Sequence, residues 1–184
     1  MSSSPTNLAK SPELFERLFV RSKQLLAWTR TKIGIIEAYV TKDRDAQSLP
    51  YVSAGEIYYA HLGTNIGSEI DKERPVLIFQ SDDRFIKQSN MTVVIPISSN
   101  LALRPYRVRI HPSNVFDNKG VTDSSVIIQQ IRSISKARLS TLKGRLCKEK
   151  LHEVEIEVNK LLYNSTPLRK EGHAQTVIAD AAKT

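Results

Sequence analysis

Glu69 and Arg74 stand five residues apart in a segment that also carries Gly63, Asn65, Gly67 and Ser68. A carboxylate can take up a proton and a guanidinium can hold an anion in a fork of donors, so this spacing suits an acid/base group beside an anion ligand. A second polar group, Ser98, Ser99 and Asn100, follows directly on the β-branched run of residues 91–97, MTVVIPI. Small hydroxyl and amide side chains at the end of a buried strand suit contacts to a phosphate or a nucleobase. His61 adds a further acid/base candidate, because an unperturbed imidazole titrates near neutrality. By itself a charged turn is commonly no more than a surface ion pair, so the elements around these residues must decide.

Those elements are legible in outline. Residues 57–62 alternate Ile57, Tyr59, His61 against Tyr58, Ala60, Leu62, the period of a half-buried strand, and an apolar run at 76–79 follows Pro75. The pair predicts a hairpin with Glu69 and Arg74 at its loop. Further strands are expected at 91–97, at 106–110 with an apolar face and a basic face carrying Arg107 and Arg109, at 126–134 with Gln129, Gln130 and Arg132, and around 142–146. Residues 148–162 read as an amphipathic helix with Leu151, Val154, Val158, Leu161 and Leu162 on one face. Near the start, Ser11 as N-cap, Pro12 and Glu13 open a helix over residues 12–40. Its stripe of Leu14, Leu18, Leu25, Trp28 and Ile36, widened by Phe15, Phe19 and Leu26, is expected to pack on the rest of the protein or to mediate assembly. Short strands closed by one helix favour a small barrel or compact antiparallel sheet.

The organisation expected is a helical extension with linker over 1–50, a compact domain over 51–163 and a mobile tail over 164–184. Length, 40% apolar and 25% charged residues suit a globular protein of one domain plus an appendage. A net charge of +8 favours a polyanionic partner. The single cysteine, Cys147, cannot form an intrachain disulfide, and no secretory signal or membrane-length apolar run is present in the sequence. A cytoplasmic protein is the simplest expectation. His61, His111, His152 and His173 lack metal-ligand spacing with one another and with Cys147, and no nucleotide-binding glycine fingerprint occurs. No metal and no cofactor are therefore expected.

Three segments in this order carry a resemblance. GEIYYAHLGTNIGSE at 55–69, RPVLI at 74–78 and VIIQQIRSISKARL at 126–139 resemble the opening strand and loop, the second strand and the late Gln-Ile-Arg signature of the MazF/PemK (Kid) toxins of type II toxin-antitoxin systems. The resemblance covers about residues 52–162. It implies an α+β fold, mainly β: an SH3-like barrel of the CcdB type with a C-terminal helix, to which this chain adds an N-terminal helix. It also implies a homodimeric endoribonuclease that cuts single-stranded mRNA without metal, leaving 2′,3′-cyclic phosphate and 5′-hydroxyl ends. An acidic antitoxin would neutralise it, with DNA contacted only through the antitoxin complex and no membrane role. By position the resemblance carries catalytic roles to Glu69, Arg74 and Ser98; Ser68, Ser99, Asn100 and Gln129 are the candidate RNA-binding residues. Tyr58 and Tyr106 are candidates for base stacking. Ser98 stands where the family has threonine, while His61 and Gln129 stand where acidic residues are common. The last two departures open the alternative of a non-cleaving, CcdB-like inhibitor of DNA gyrase, since the fold alone does not establish cleavage.

Overall fold

The computed structural model describes residues 12–41, 49–80 and 89–163. The expected N-cap Ser11, most of the expected linker at 41–50, most of the polar loop at 81–90 and the expected tail lie outside them. Helix α1 (Pro12–Thr41) precedes eight strands: β1 (Glu56–His61), β2 (Glu73–Ile78), β3 (Met91–Ser98), β4 (Arg107–Ile110), β5 (Val115–Phe116), β6 (Ser124–Ile127), β7 (Arg132–Ser135) and β8 (Leu139–Leu146). Helix α2 (Lys148–Tyr163) ends the described chain. The strands form one curled antiparallel sheet in the order β4-β6-β3-β2-β1-β8-β5, with β7 paired further along β3. This is the mainly β, α+β architecture expected.

Alternation along the central strands sorts side chains onto two faces. Ile57, Leu77, Ile95 and Ile97 point into a core closed by Val154 and Val158 of α2. Tyr58, Ala60, Val76, Ile78 and Val94 point the other way, into a second cluster that Ile134 joins and against which Ile70, Leu139 and Leu142 pack. The spacing of Leu151, Val154, Val158 and Leu161 seats α2 on the first cluster, whereas Leu162, expected on the same face, is 58% exposed.

The late segment departs from the single strand expected over 126–134. Beta pairing stops at Ile127, a 3-10 turn occupies Ile128–Gln130, and pairing resumes in β7. Ile128 donates to the Tyr106 carbonyl at 3.0 Å and Ile131 to the Ile128 carbonyl at 3.1 Å. The turn keeps Ile128 fully buried while lifting both glutamines out of the ladder. Strand β8 is longer than expected and is the second partner of β1, with register shifts between them. Those shifts break the simple alternation, so residues 139–141 do not announce a strand.

Gly144 sits where β8 meets β5. Its φ is +142°, and a Cβ there would lie 2.6 Å from both the Phe116 carbonyl oxygen and Val115 Cγ1. Backbone and a core side chain would have to move to admit it. Gly144→Ala is expected to cost about 3 kcal/mol, read as a lower urea midpoint with unchanged slope.

Candidate active site

The loop between β1 and β2 is closed at its neck by two backbone bonds, Leu62 N–H to the Lys72 carbonyl (2.8 Å) and Lys72 N–H to the Gly63 carbonyl (2.6 Å). Inside it, Asn65 Nδ2 donates to the Ile70 carbonyl at 2.8 Å, and the Glu69 amide donates to the Ile66 carbonyl at 3.3 Å. Ile70 packs against the second core cluster, which draws the loop down onto that face of the sheet.

The turn between β6 and β7 then grips the loop on both sides of Glu69. Gln130 Nε2 donates to the Ser68 carbonyl at 2.9 Å, and Gln130 Oε1 accepts from the Ile70 amide at 2.6 Å. Arg132 adds a bond from Nη2 to the Ile70 carbonyl at 2.8 Å. Burial lowers the pKa of Arg132, the nearby Glu69 carboxylate opposes that shift, and Arg138 adds to it. Glu69 is thus an exposed carboxylate on a pinned backbone, within the field of a half-buried guanidinium.

Strand alternation brings two other predicted residues to the same face. Arg74 shares the parity of Val76 and Ile78, and Ser98 that of Val94, all three of them members of the second cluster. The β2–β3 ladder ends at the pair Val76 and Pro96, so Arg74 and Ser98 each lie two residues beyond that last pair, on the face that alternation gives them. Arg74 is exposed, and its Nε donates to the Asp71 carbonyl at 3.3 Å. Ser98 Oγ accepts from the Asn100 amide at 3.2 Å, and Asn100 Oδ1 accepts from the Ala102 amide at 2.9 Å. These bonds form a tight turn whose carbonyls at Asn100 and Leu101 are held by Arg107 and Arg109 of β4. The basic face expected of β4 thus adjoins the strand end. Ser68, Ser99, Asn100 and Gln129 are all exposed around this margin.

His61 is placed elsewhere. It has the parity of Ile57 and pairs in register with Glu73; its Nε2 lies 3.8 Å from Glu73 Oε1, which also accepts from Ser140 Oγ at 3.0 Å. Alternation directs this histidine to the face opposite Arg74 and Ser98. Tyr58 is also withdrawn: it is buried in the second cluster, and that burial, with Glu56 nearby, raises its pKa. Tyr106 packs against the first cluster at a positive φ of 57°. Tyr58 is therefore withdrawn from stacking, whereas Tyr106 stays half-buried.

Helix α1 borders the loop. Arg21 pairs with Asp71 at 2.9 Å and donates to the Asn65 carbonyl, Thr64 Oγ1 donates to the Gln24 carbonyl at 3.4 Å, and Arg138 sits over the Trp28 ring at 5.5 Å. Gly63, at φ +97°, lies flush against the Trp28 indole: a Cβ there would be 3.1 Å from it. The residues of α1 that lose exposure are Arg21, Gln24, Trp28 and Ile35. Trp28 alone among the expected apolar stripe takes part, so that stripe does not pack on the sheet.

A family model described as a PemK-like, MazF-like toxin of type II toxin-antitoxin systems matches residues 53–162, the span that holds the sheet, the loop and nearly all of α2. The chain belongs to this PemK/MazF toxin family. Endoribonuclease MazF2 of Mycobacterium bovis is 33% identical over 115 residues, covering 60% of this chain and 96% of the relative. Endoribonuclease EndoA of Bacillus subtilis is 32% identical over 108 residues, covering 56% and 88% respectively. The crystal structure of MazF from Deinococcus radiodurans shares the fold with a TM-score of 0.51 at 19% identity, covering 62% of this chain and 97% of that one. Helix α1 lies outside the span of the family match.

Gln130 is the residue that sequence reasoning passed over in favour of Gln129. Read as a strand, the QQ pair puts one glutamine on each face; read as a turn, it lets Gln130 reach the loop. Gln130→Ala removes both bonds that bracket Glu69 and is expected to cost about 1–2 kcal/mol and to speed hydrogen exchange at the Ile70 amide. Gln129→Ala, at an exposed side chain, should leave both measurements unchanged.

Proposed function

We propose that this PemK/MazF toxin is an endoribonuclease that cuts single-stranded RNA, mRNA among its targets, at the margin where Glu69, Arg74 and Ser98 converge. What supports the reading is that the loop carrying Glu69 packs through Ile70 on the face to which alternation directs Arg74 and Ser98, within the span matched by the toxin family. The curated relatives cited above are named endoribonucleases, which supports the same chemistry.

In the proposed reaction the ribose 2′-hydroxyl attacks the adjacent phosphorus. Its proton passes to Glu69, the bond from phosphorus to the 5′-oxygen breaks, and the leaving oxygen takes a proton from solvent. The products are a 2′,3′-cyclic phosphate and a 5′-hydroxyl. Arg74 presents a fork of donors to the non-bridging oxygens as charge develops there, and Ser98 Oγ donates to one of them. The Asn100 carbonyl oxygen and side-chain oxygen are engaged in the turn, which leaves its amide NH2 free to read the edge of an unstacked base. Ser68, Ser99 and Gln129 line the path of the strand, and Arg107 and Arg109 extend positive charge along it. Arg132 and Gln130 hold the loop in place rather than touching RNA. The mechanism calls on no metal and no cofactor.

Residues 51–163 constitute the catalytic domain in this reading, with 1–50 as a helical extension and 164–184 as a tail. The protein acts in the cytoplasm, where its substrate is, as a homodimer neutralised by a cognate acidic antitoxin that brings any contact with DNA.

The purified protein should cleave single-stranded RNA in excess chelator and leave cyclic phosphate ends. Arg74→Ala should lower kcat by about 10²–10³ with an unchanged melting temperature. Cleavage that requires a divalent metal, or a fully active Arg74→Ala variant, would overturn the mechanism. Gyrase inhibition without RNA cleavage would replace it with the CcdB-like alternative.

A further inference from the structure

The face of α1 turned away from the sheet carries a periodicity that neither the loop nor the core uses. Residues 15, 19, 22, 26, 29, 33, 36 and 40 are spaced alternately by four and three, the seam of a coiled coil. Six of these positions are Phe15, Phe19, Leu26, Ile33, Ile36 and Val40, each between 49 and 69% exposed. The other two are Ser22 and Thr29, whose hydroxyls donate to the Leu18 and Leu25 carbonyls at 2.9 Å each. With those protons satisfied inside the helix, both positions present small, largely carbon surfaces that let a second helix approach. The seam is about 38 Å long at the rise of an α-helix. The residues of α1 that lose exposure against the rest of the protein, chiefly Arg21, Gln24, Trp28 and Ile35, fall at the back of this heptad, so the sheet leaves the seam open.

We infer that α1 pairs in parallel with α1 of a second copy of this chain. Charge selects both the occupant and the direction. The positions flanking the seam on one side are Glu16, Lys23, Arg30 and Glu37, and on the other Leu18, Leu25, Lys32 and Tyr39. In a parallel pair Lys32 of each copy meets Glu37 of the other, while Leu18 and Leu25 lie along the stems of Lys23 and Arg30. An antiparallel pair in the register that stacks Phe19 on Ile36 sets Glu16 against Glu37 and Lys23 against Arg30, like charge against like. A uniformly acidic partner helix would satisfy Lys23, Arg30 and Lys32 but meet Glu16 and Glu37, whereas a second copy supplies Lys32 to Glu37. The area is adequate. At about 150–200 Å² for each large side chain, the exposed fractions of the six apolar seam residues with Leu18 and Leu25 come to roughly 700–900 Å² per copy, against about 800 Å² per partner in a standard specific interface. The pairing is separate from the endoribonuclease reading and stands or falls without it. It has a consequence for the loop all the same, because Arg21, Gln24 and Trp28 tie the paired helix to the segment carrying Glu69.

The full-length chain tests this by two independent measurements. Leu26→Glu keeps a good helix former at an exposed position and places two like charges in the centre of the seam; sedimentation should show the mass of the assembly halved, with unchanged helicity by circular dichroism. In a Cys147→Ser background, Phe19→Cys should form an interchain disulfide with itself under mild oxidation, since the two copies of position 19 face each other only in the parallel register. A crosslink that appears only when Phe19→Cys and Ile36→Cys chains are mixed would overturn the parallel direction. An unchanged mass together with no self-crosslink would overturn pairing between copies. If the mass is unchanged and the wild type, but not Leu26→Glu, sediments with phosphatidylglycerol vesicles, the seam is a lipid-facing surface and the inference fails.

Discussion

The backbone on either side of Glu69 is held by one carboxamide. Gln130 donates to one side of Glu69 and accepts from the other, and it can do so because the chain leaves the β ladder for a single 3-10 turn between β6 and β7. A glycine-containing loop has many conformations of similar energy, and an acid/base group is useful only when its backbone occupies one of them. Bonds to backbone groups suit that task, because they fix the path of the loop without using up the carboxylate they are there to present. Ile70 supplies the apolar half of the same anchor. It places the loop on the second face of the sheet, where Arg74 and Ser98 already point by alternation.

The electrostatics of the margin follow from this arrangement. Arg132 is drawn partly out of solvent to brace the loop, and burial disfavours its charge. Glu69 offsets that cost from nearby, so the brace and the candidate acid/base group form one charge pair. The remaining cations serve other structural roles: Arg21 binds Asp71, Arg138 lies on Trp28, and Arg107 and Arg109 hold the turn after β3. Around the loop the positive charge is therefore partly structural.

Much of this was legible before any fold was known. The alternation at 57–62, the apolar run at 76–79 and the β-branched run at 91–97 locate three central strands, and Pro12 opens α1 where helix-start chemistry places it. Glu69, Arg74 and Ser98 were singled out from motif order and strand ends. Three features were not. The turn at Ile128–Gln130 hides inside an unbroken run of strand-forming residues, because what ends the ladder is a tertiary preference of Ile128 for the core. His61 is separated from the site by parity, which depends on strand register that motif position does not carry. The apolar stripe of α1 suggested packing on the rest of the protein or assembly, and the contacts that α1 makes with the loop come chiefly from Arg21, Gln24 and Trp28, whose mixed character no hydrophobic pattern singles out.

The clamp on the loop also sets an order of events in synthesis. Ile70 and Ser68 wait for a partner that lies 60 and 62 residues further along the chain, and β1 waits for β8, later still. Contacts of such sequence separation form late, after the loop-closure entropy has been met. A nascent chain that has released Glu69 from the ribosome still lacks the glutamine that brackets it. The loop is thereby left unbraced until the turn between β6 and β7 has emerged.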